Sequence, residues 1–122
     1  MEKLITYLPY IVAGAGIWAT GNGILHDIFI LASDHGKQYD RNLLRLLMDG
    51  HVLITCGLIL LFSYKGIKAN HEYAFYTALI ACISLLVYCG MIWPFLKSVL
   101  TIAINLFTAI VLAIALIKVQ RP

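Results

Sequence analysis

Four long apolar runs, separated by short polar segments, dominate the pattern of this chain. They cover residues 4–32, 43–64, 73–95 and 98–117. Each run reaches the ~20 residues that a helix needs to cross the hydrocarbon core of a bilayer. The runs are continuously apolar rather than alternating, which favours helices over the strands of a barrel. The pattern therefore predicts one all-α membrane domain over residues 1–122, with four transmembrane helices.

The connections between the runs predict how these helices are arranged. Residues 33–42 read SDHGKQYDRN and residues 65–72 read KGIKANHE, while Pro94 and Lys97 mark the change from the third run to the fourth. Connections this short force neighbouring helices to run in opposite directions. We therefore expect an up-down-up-down bundle with both termini on one side of the membrane.

Composition and charge indicate the environment of the bundle and its partners. Hydrophobic residues make up 61% of the chain and charged residues 12%, against roughly 25% charged residues in soluble domains. The net charge of +3 is small and dispersed, so no nucleic-acid partner is expected. We expect contact with membrane lipids, in the inner membrane of a bacterium.

The basic residues at the ends of the runs favour one orientation, because Lys and Arg collect on the cytoplasmic side. Five lie on the side that holds both termini and four on the other, so we predict cytoplasmic termini. The first group is Lys3, Lys65, Lys68, Lys118 and Arg121, and the second is Lys37, Arg41, Arg45 and Lys97.

One face of the first run is built from small residues, namely Ala13, Gly16, Thr20 and Gly23. In lipid, small side chains allow two helix backbones to approach closely. We expect this face to pack tightly inside the bundle, and a homo-oligomer seam is the alternative.

Ionisable side chains fall inside the first two runs, where each costs ~2.5–3.5 kcal/mol on insertion scales. His26 and Asp27 lie about six residues, or ~9 Å, before the first run ends, and Asp49 and His51 lie at a similar distance inside the second. Since the two helices are adjacent and antiparallel, we expect all four side chains at one depth, away from the termini. Arg45 stands one turn before Asp49, a spacing that suits an intrahelical ion pair.

Polar residues recur at helical spacing in all four runs, and we predict that they converge on the bundle interior. The repeats are Asn22 with His26; Arg45 with Asp49; Thr77, Ser84 and Tyr88; and Thr101, Asn105 and Thr108. The candidate ligand-binding residues are therefore Asn22, His26, Asp27, Arg45, Asp49, His51, Tyr88 and Asn105.

The sequence does not decide what these polar residues bind or which reaction they support. Histidines that face each other across a bundle can ligate a haem iron, and His26 and His51 are the candidates for any metal. The layer could instead bind the polar end of a quinone or another lipid-like molecule, or relay protons in a transport component. A hydrogen-bonded network without a ligand, as in an accessory subunit of a membrane complex, is a further reading. No HExxH, GxSxG or P-loop motif is present, so a binding protein is favoured over an enzyme.

One stretch of the second run is similar to a known family. Asn42 opens the sequence NLLRLLMDG, which contains Arg45 and ends at Gly50, and Gly57 follows in the same run. The stretch resembles the second helix of DoxX-like small bacterial membrane proteins, in which an Asn-x-x-Arg precedes a helix with spaced glycines. The resemblance implies a four-helix bundle and tilts the function towards quinone-linked or redox work. Asp49 and His51 are additions to that pattern, and the third run lacks the Gly-Arg pair of the family.

Overall fold

The computed structural model describes residues 2–120, which are almost entirely helical. The helices are α1 (Glu2–Thr6), α2 (Leu8–Ala32), α3 (Arg41–Lys68), α4 (Glu72–Ile92) and α5 (Val99–Gln120). A short 3₁₀ turn, Asp34–Lys37, lies between α2 and α3. The prediction of an all-helical chain is confirmed for these residues, in which no strand occurs.

Three of the helices, α3, α4 and α5, are long and apolar enough to cross a membrane. Their most apolar stretches have mean hydropathies of 1.9, 2.1 and 2.6. α2 has 25 residues, a length of about 37 Å, but it is not among the three. Its glycines and the polar Asn22, His26 and Asp27 lower its apolar character.

Several helix boundaries differ from the predicted ones, and two of the differences have local causes. The first run is interrupted at Tyr7, because Pro9 has no N–H to continue a helix from α1 and is tolerated only in the first turn of a new one. α3 begins two residues before the predicted start, because the Asp40 side chain accepts a hydrogen bond of 2.9 Å from the Leu43 backbone N–H and caps the helix. It also continues past residue 64 to Lys68.

The long helices contact one another in chain order, and α2 also contacts α5. The contact between α2 and α3 is the most extensive of these. Gly16 of α2 lies against Gly57 of α3, and Gly23 lies against Gly50. Because residue numbers rise along one helix as they fall along the other, α2 and α3 are antiparallel.

Glycines bring the backbones of α2 and α3 together. A Cβ added at Gly23 would lie 2.5 Å from the Gly50 carbonyl oxygen, and one added at Gly16 would lie 2.7 Å from the Gly57 carbonyl oxygen. Any larger residue would therefore separate the helices. Gly21 points away from α3, and a Cβ there would meet nothing within 4 Å. The predicted tight packing of the small face inside the bundle is confirmed for Gly16 and Gly23.

The apolar core extends from the middle of the long helices towards the start of α2 and the end of α5. Leu60, Leu85 and Leu112 are fully buried, one from each of α3, α4 and α5, and Val12 of α2 joins them. The opposite half, formed by the end of α2, the start of α3, the end of α4 and the start of α5, contains most of the polar candidates. The polar candidates are therefore concentrated in one half of the bundle.

Candidate functional site

A small cavity of about 110 Å³ lies among the helix ends far from the termini. α2, α4, the start of α5 and the residue just before it supply its polar side chains, and apolar residues from α3, α4 and the loop before α5 complete its wall. The polar residues are Asn22, His26, Tyr88, Ser98 and Thr101. The others are Leu53, Cys89, Ile92 and Leu96.

A larger cavity of about 390 Å³ adjoins the first and is mostly apolar. His26 and Tyr88 line both cavities, as do Ile92 and Leu96. The larger cavity adds Leu46, Asp49 and Phe95. We call the two adjoining cavities the His26 pocket. Its inner part is small and polar, and its outer part is wide and apolar.

His26 stands between a carboxylate and the pocket. Its Nδ1 atom lies 3.5 Å from Oδ1 of Asp27, and the two side chains are 29% and 23% exposed. Only a protonated Nδ1 can donate to a carboxylate, so in the neutral imidazole this contact favours the tautomer in which Nε2 is an acceptor. Asp27 in turn packs against Gly50 of α3, where the missing side chain leaves room for the carboxylate.

Hydrogen bonds within and between helices fix the polar groups of the inner cavity. Trp18 Nε1–H donates to Thr101 Oγ1 over 3.1 Å and links α2 to α5. Asn22 Nδ2 donates to the Trp18 carbonyl oxygen over 2.7 Å. These two bonds do not use the hydroxyl proton of Thr101 or the side-chain oxygen of Asn22. A donor and an acceptor are therefore both available to a ligand.

Trp18 contacts the pocket residue Thr101 but was not among the candidates from the sequence. An indole N–H needs a partner when it lies inside an apolar region, and Thr101 provides one at a distance of 83 residues along the chain. The signal was present, because Trp18 lies in the middle of the first apolar run rather than at its end. Its partner, however, depends on how α2 and α5 are rotated.

Asn105 lies inside the bundle, as predicted, but outside the His26 pocket. Its side chain is fully buried, and Nδ2 donates to the Thr101 carbonyl oxygen over 2.9 Å. Its Oδ1 atom has no hydrogen-bond partner among residues 2–120. Thr108, one turn further along, is also buried, and its hydroxyl donates to the Ile104 carbonyl oxygen. The predicted polar stripe of the fourth run, which forms α5, therefore lies in the bundle interior at these two positions.

The polar repeat of the third run, which forms α4, is mostly not in the bundle interior, contrary to the prediction. Thr77 and Ser84 are exposed, and only Tyr88 lines the pocket. Thr77 Oγ1 donates to the Tyr73 carbonyl oxygen of its own helix over 2.8 Å. A hydroxyl satisfied in this way needs no partner across the bundle, so it can face outwards.

His51 does not join the pocket. It is exposed and shares a separate, open groove with Asp27 on the outer side of α2 and α3. Residues two apart on a helix are related by a rotation of about 200° around its axis, so Asp49 and His51 face different directions. The structure therefore does not bring His26 and His51 together, as a pair of haem ligands would require. Within the described part of the chain, no group of three or more His, Cys, Asp or Glu side chains is placed to hold a metal ion.

Arg45 is also outside the pocket. Its side chain is exposed, and the ion pairs found within residues 2–120 include neither Arg45 nor Asp49. The predicted intrahelical pair between these two residues is not formed. Asp49 is half-buried in the outer cavity, and no side chain described by the structure neutralises it.

No family model, curated protein or solved structure matches the chain. The resemblance of residues 42–60 to DoxX-like proteins stays a prediction. In the structure, the spaced glycines of that stretch, Gly50 and Gly57, are the positions at which α3 meets α2. The geometry of the pocket is therefore the basis for a functional proposal.

Proposed function

We propose that this chain is an integral membrane protein whose four long helices all cross the bilayer, as an up-down-up-down bundle in a bacterial inner membrane with cytoplasmic termini. The length and apolarity of α3, α4 and α5 support three of the spans. The contacts of α2 with α3 and α5, both of them candidate spans, support α2 as the fourth span. The DoxX-like resemblance agrees with this architecture.

The function that the pocket supports best is binding of a lipophilic molecule through its polar end. One observation carries this proposal: His26 and Tyr88 line both a small polar cavity and a wider apolar cavity beside it. Ligand sites are mostly apolar with a few placed polar groups. A cavity of about 150 Å³ holds benzene, so the inner cavity of about 110 Å³ suits a compact head group. The apolar remainder of the ligand would lie in the outer cavity.

Co-purification tests this proposal. The full chain would be extracted into polymer-bounded nanodiscs with native lipid, and bound small molecules would be identified by mass spectrometry and a visible absorption spectrum. We expect a lipophilic molecule at near-stoichiometric amount, which His26→Leu and Tyr88→Phe should each reduce severalfold. His51→Leu is the matched control, because that histidine is outside the pocket, and it should retain the molecule. Equal retention by folded His26→Leu and wild-type protein would refute the proposal.

Proton transfer in a transport component is the second candidate, and Asp49 is the observation that favours it. A carboxylate inside a membrane span that lacks a cationic partner can be stabilised by a proton. Proteoliposomes containing a pH-sensitive dye would measure this activity under an imposed potential. Asp49→Asn should abolish the flux, and a flux unchanged by that substitution would exclude this candidate.

A further inference from the structure

We infer that the molecule bound in the His26 pocket is a lipophilic organic cation. This inference rests on the proposed function and names the ligand class of the same site. It begins with the outer cavity, where Asp49 is the one carboxylate among a wall of apolar and aromatic side chains. The rest of that wall is His26, Leu46, Tyr88, Ile92, Phe95 and Leu96.

The charge of Asp49 is not balanced by its protein neighbours. Arg45, one turn earlier on α3, is exposed and forms no ion pair in the part of the chain that the structure describes. Lys97, which follows the lining residue Leu96, has its Nζ atom over the Trp93 ring, 6.0 Å from the ring centroid. A carboxylate in apolar surroundings is costly unless it is protonated or paired with a cation. A cationic ligand would supply the missing partner.

The other groups that face the pocket also suit a cation. Tyr88 and Phe95 line the same cavity as Asp49. The faces of aromatic rings attract cations, more strongly when water is excluded, so the half-buried Tyr88 contributes more than Phe95, which is 90% exposed. In the tautomer that Asp27 favours, His26 presents an acceptor nitrogen. An anionic head group would instead meet the carboxylate of Asp49 in the cavity and that of Asp27 behind the imidazole.

The size of the cavities decides between a metal ion and an organic cation. A cavity of about 390 Å³ with one carboxylate is far too wide for a bare ion, which requires several ligands at about 2.0–2.6 Å. It suits a charged centre that carries apolar arms. Such a molecule would place its charge near Asp49 and its arms against Leu46, Ile92 and Leu96.

Binding of tetraphenylphosphonium, a permanently charged lipophilic cation, tests this inference. The radiolabelled probe would be equilibrated by dialysis with the purified full chain in dodecyl maltoside. We expect saturable binding that Asp49→Asn weakens at least tenfold. Asp34→Asn is the matched control, because it removes the same charge from an exposed turn, and it should change the affinity less than twofold. Tyr88→Leu keeps Asp49 but removes an aromatic face, and it should weaken binding at least threefold.

Four further outcomes decide between this inference and the proposed function. Equal binding of the probe by wild-type protein and folded Asp49→Asn would overturn the cation inference. So would tighter binding of the anion tetraphenylborate than of tetraphenylphosphonium. If a neutral quinone such as decylubiquinone binds with dependence on His26 while the cation does not bind, the ligand class is wrong and the proposed function stands. If neither probe nor any co-purified molecule depends on His26, Asp49 or Tyr88, both proposals fail.

Discussion

Replacing Gly23 by alanine should force α2 and α3 apart. The added Cβ would lie 2.5 Å from the Gly50 carbonyl oxygen and 2.9 Å from the Ile54 backbone nitrogen. Ordinary van der Waals contact begins at 3.4 Å, so the helices must separate by about 0.9 Å at this level. Both of these neighbours are backbone atoms, which cannot turn away as a side chain would.

The size of the effect follows from two opposing contributions. Overpacking of a tight contact costs about 1–3 kcal/mol, whereas the change from glycine to alanine inside a helix gains about 1 kcal/mol. Gly21→Ala is the matched control, because that position is on the same helix and its Cβ would meet nothing within 4 Å. Since both variants receive the helix-propensity gain, Gly23→Ala should be less stable than Gly21→Ala by about 1–3 kcal/mol.

Equilibrium unfolding in mixed micelles of dodecyl maltoside and sodium dodecyl sulfate, followed by circular dichroism, measures this difference. The two variants should show the same change of signal on unfolding but different midpoints. Unfolding free energies of Gly23→Ala and Gly21→Ala that agree within about 0.5 kcal/mol would refute the close contact between α2 and α3.

The remaining predictions concern the link between α2 and α5 and the topology. A double-mutant cycle of Trp18→Phe and Thr101→Val should give a coupling of about 0.6 kcal/mol in the same unfolding assay, the average for hydrogen bonds between membrane helices, and no more than about 1.7 kcal/mol, their maximum. Additive effects would contradict the bond. In a cysteine-free background, a membrane-impermeant maleimide should label Lys37→Cys in spheroplasts but Asn70→Cys only after lysis. The reverse order would contradict the orientation, and labelling of both in spheroplasts would contradict a membrane-spanning α3.

The depth of the polar residues was predictable from the sequence because depth is obtained by counting. A helix rises 1.5 Å per residue, and the ends of the apolar runs provide the reference levels. His26, Asp49 and Tyr88 were predicted at one level, and in the structure they line one cavity. The counting holds even though α3 begins two residues earlier than predicted, because two residues shift the level by only about 3 Å.

The direction of each side chain was harder to predict, because it depends on which part of a helix its neighbours cover. Ser84 and Tyr88 have the spacing of a shared face, yet Ser84 is exposed while Tyr88 lines the pocket. A position near the edge of a buried face can fall on either side of it. Sequence spacing shows which residues share a face, but only the packing of α3 and α5 against α4 decides how much of that face is covered.

For α3, the deciding signal was present in the glycines. Gly50 and Gly57 are seven residues apart, as are Gly16 and Gly23, and the two pairs meet in the structure. Once Gly50 is directed at α2, its neighbours are each rotated by about 100° to opposite sides. Asp49 then faces the pocket that Tyr88 lines, and His51 faces the outer groove. The contact that brings α2 and α3 together therefore also separates Asp49 from His51. The pocket then contains an unpaired carboxylate, which suits a cation or a proton, rather than a pair of histidines, which would suit haem.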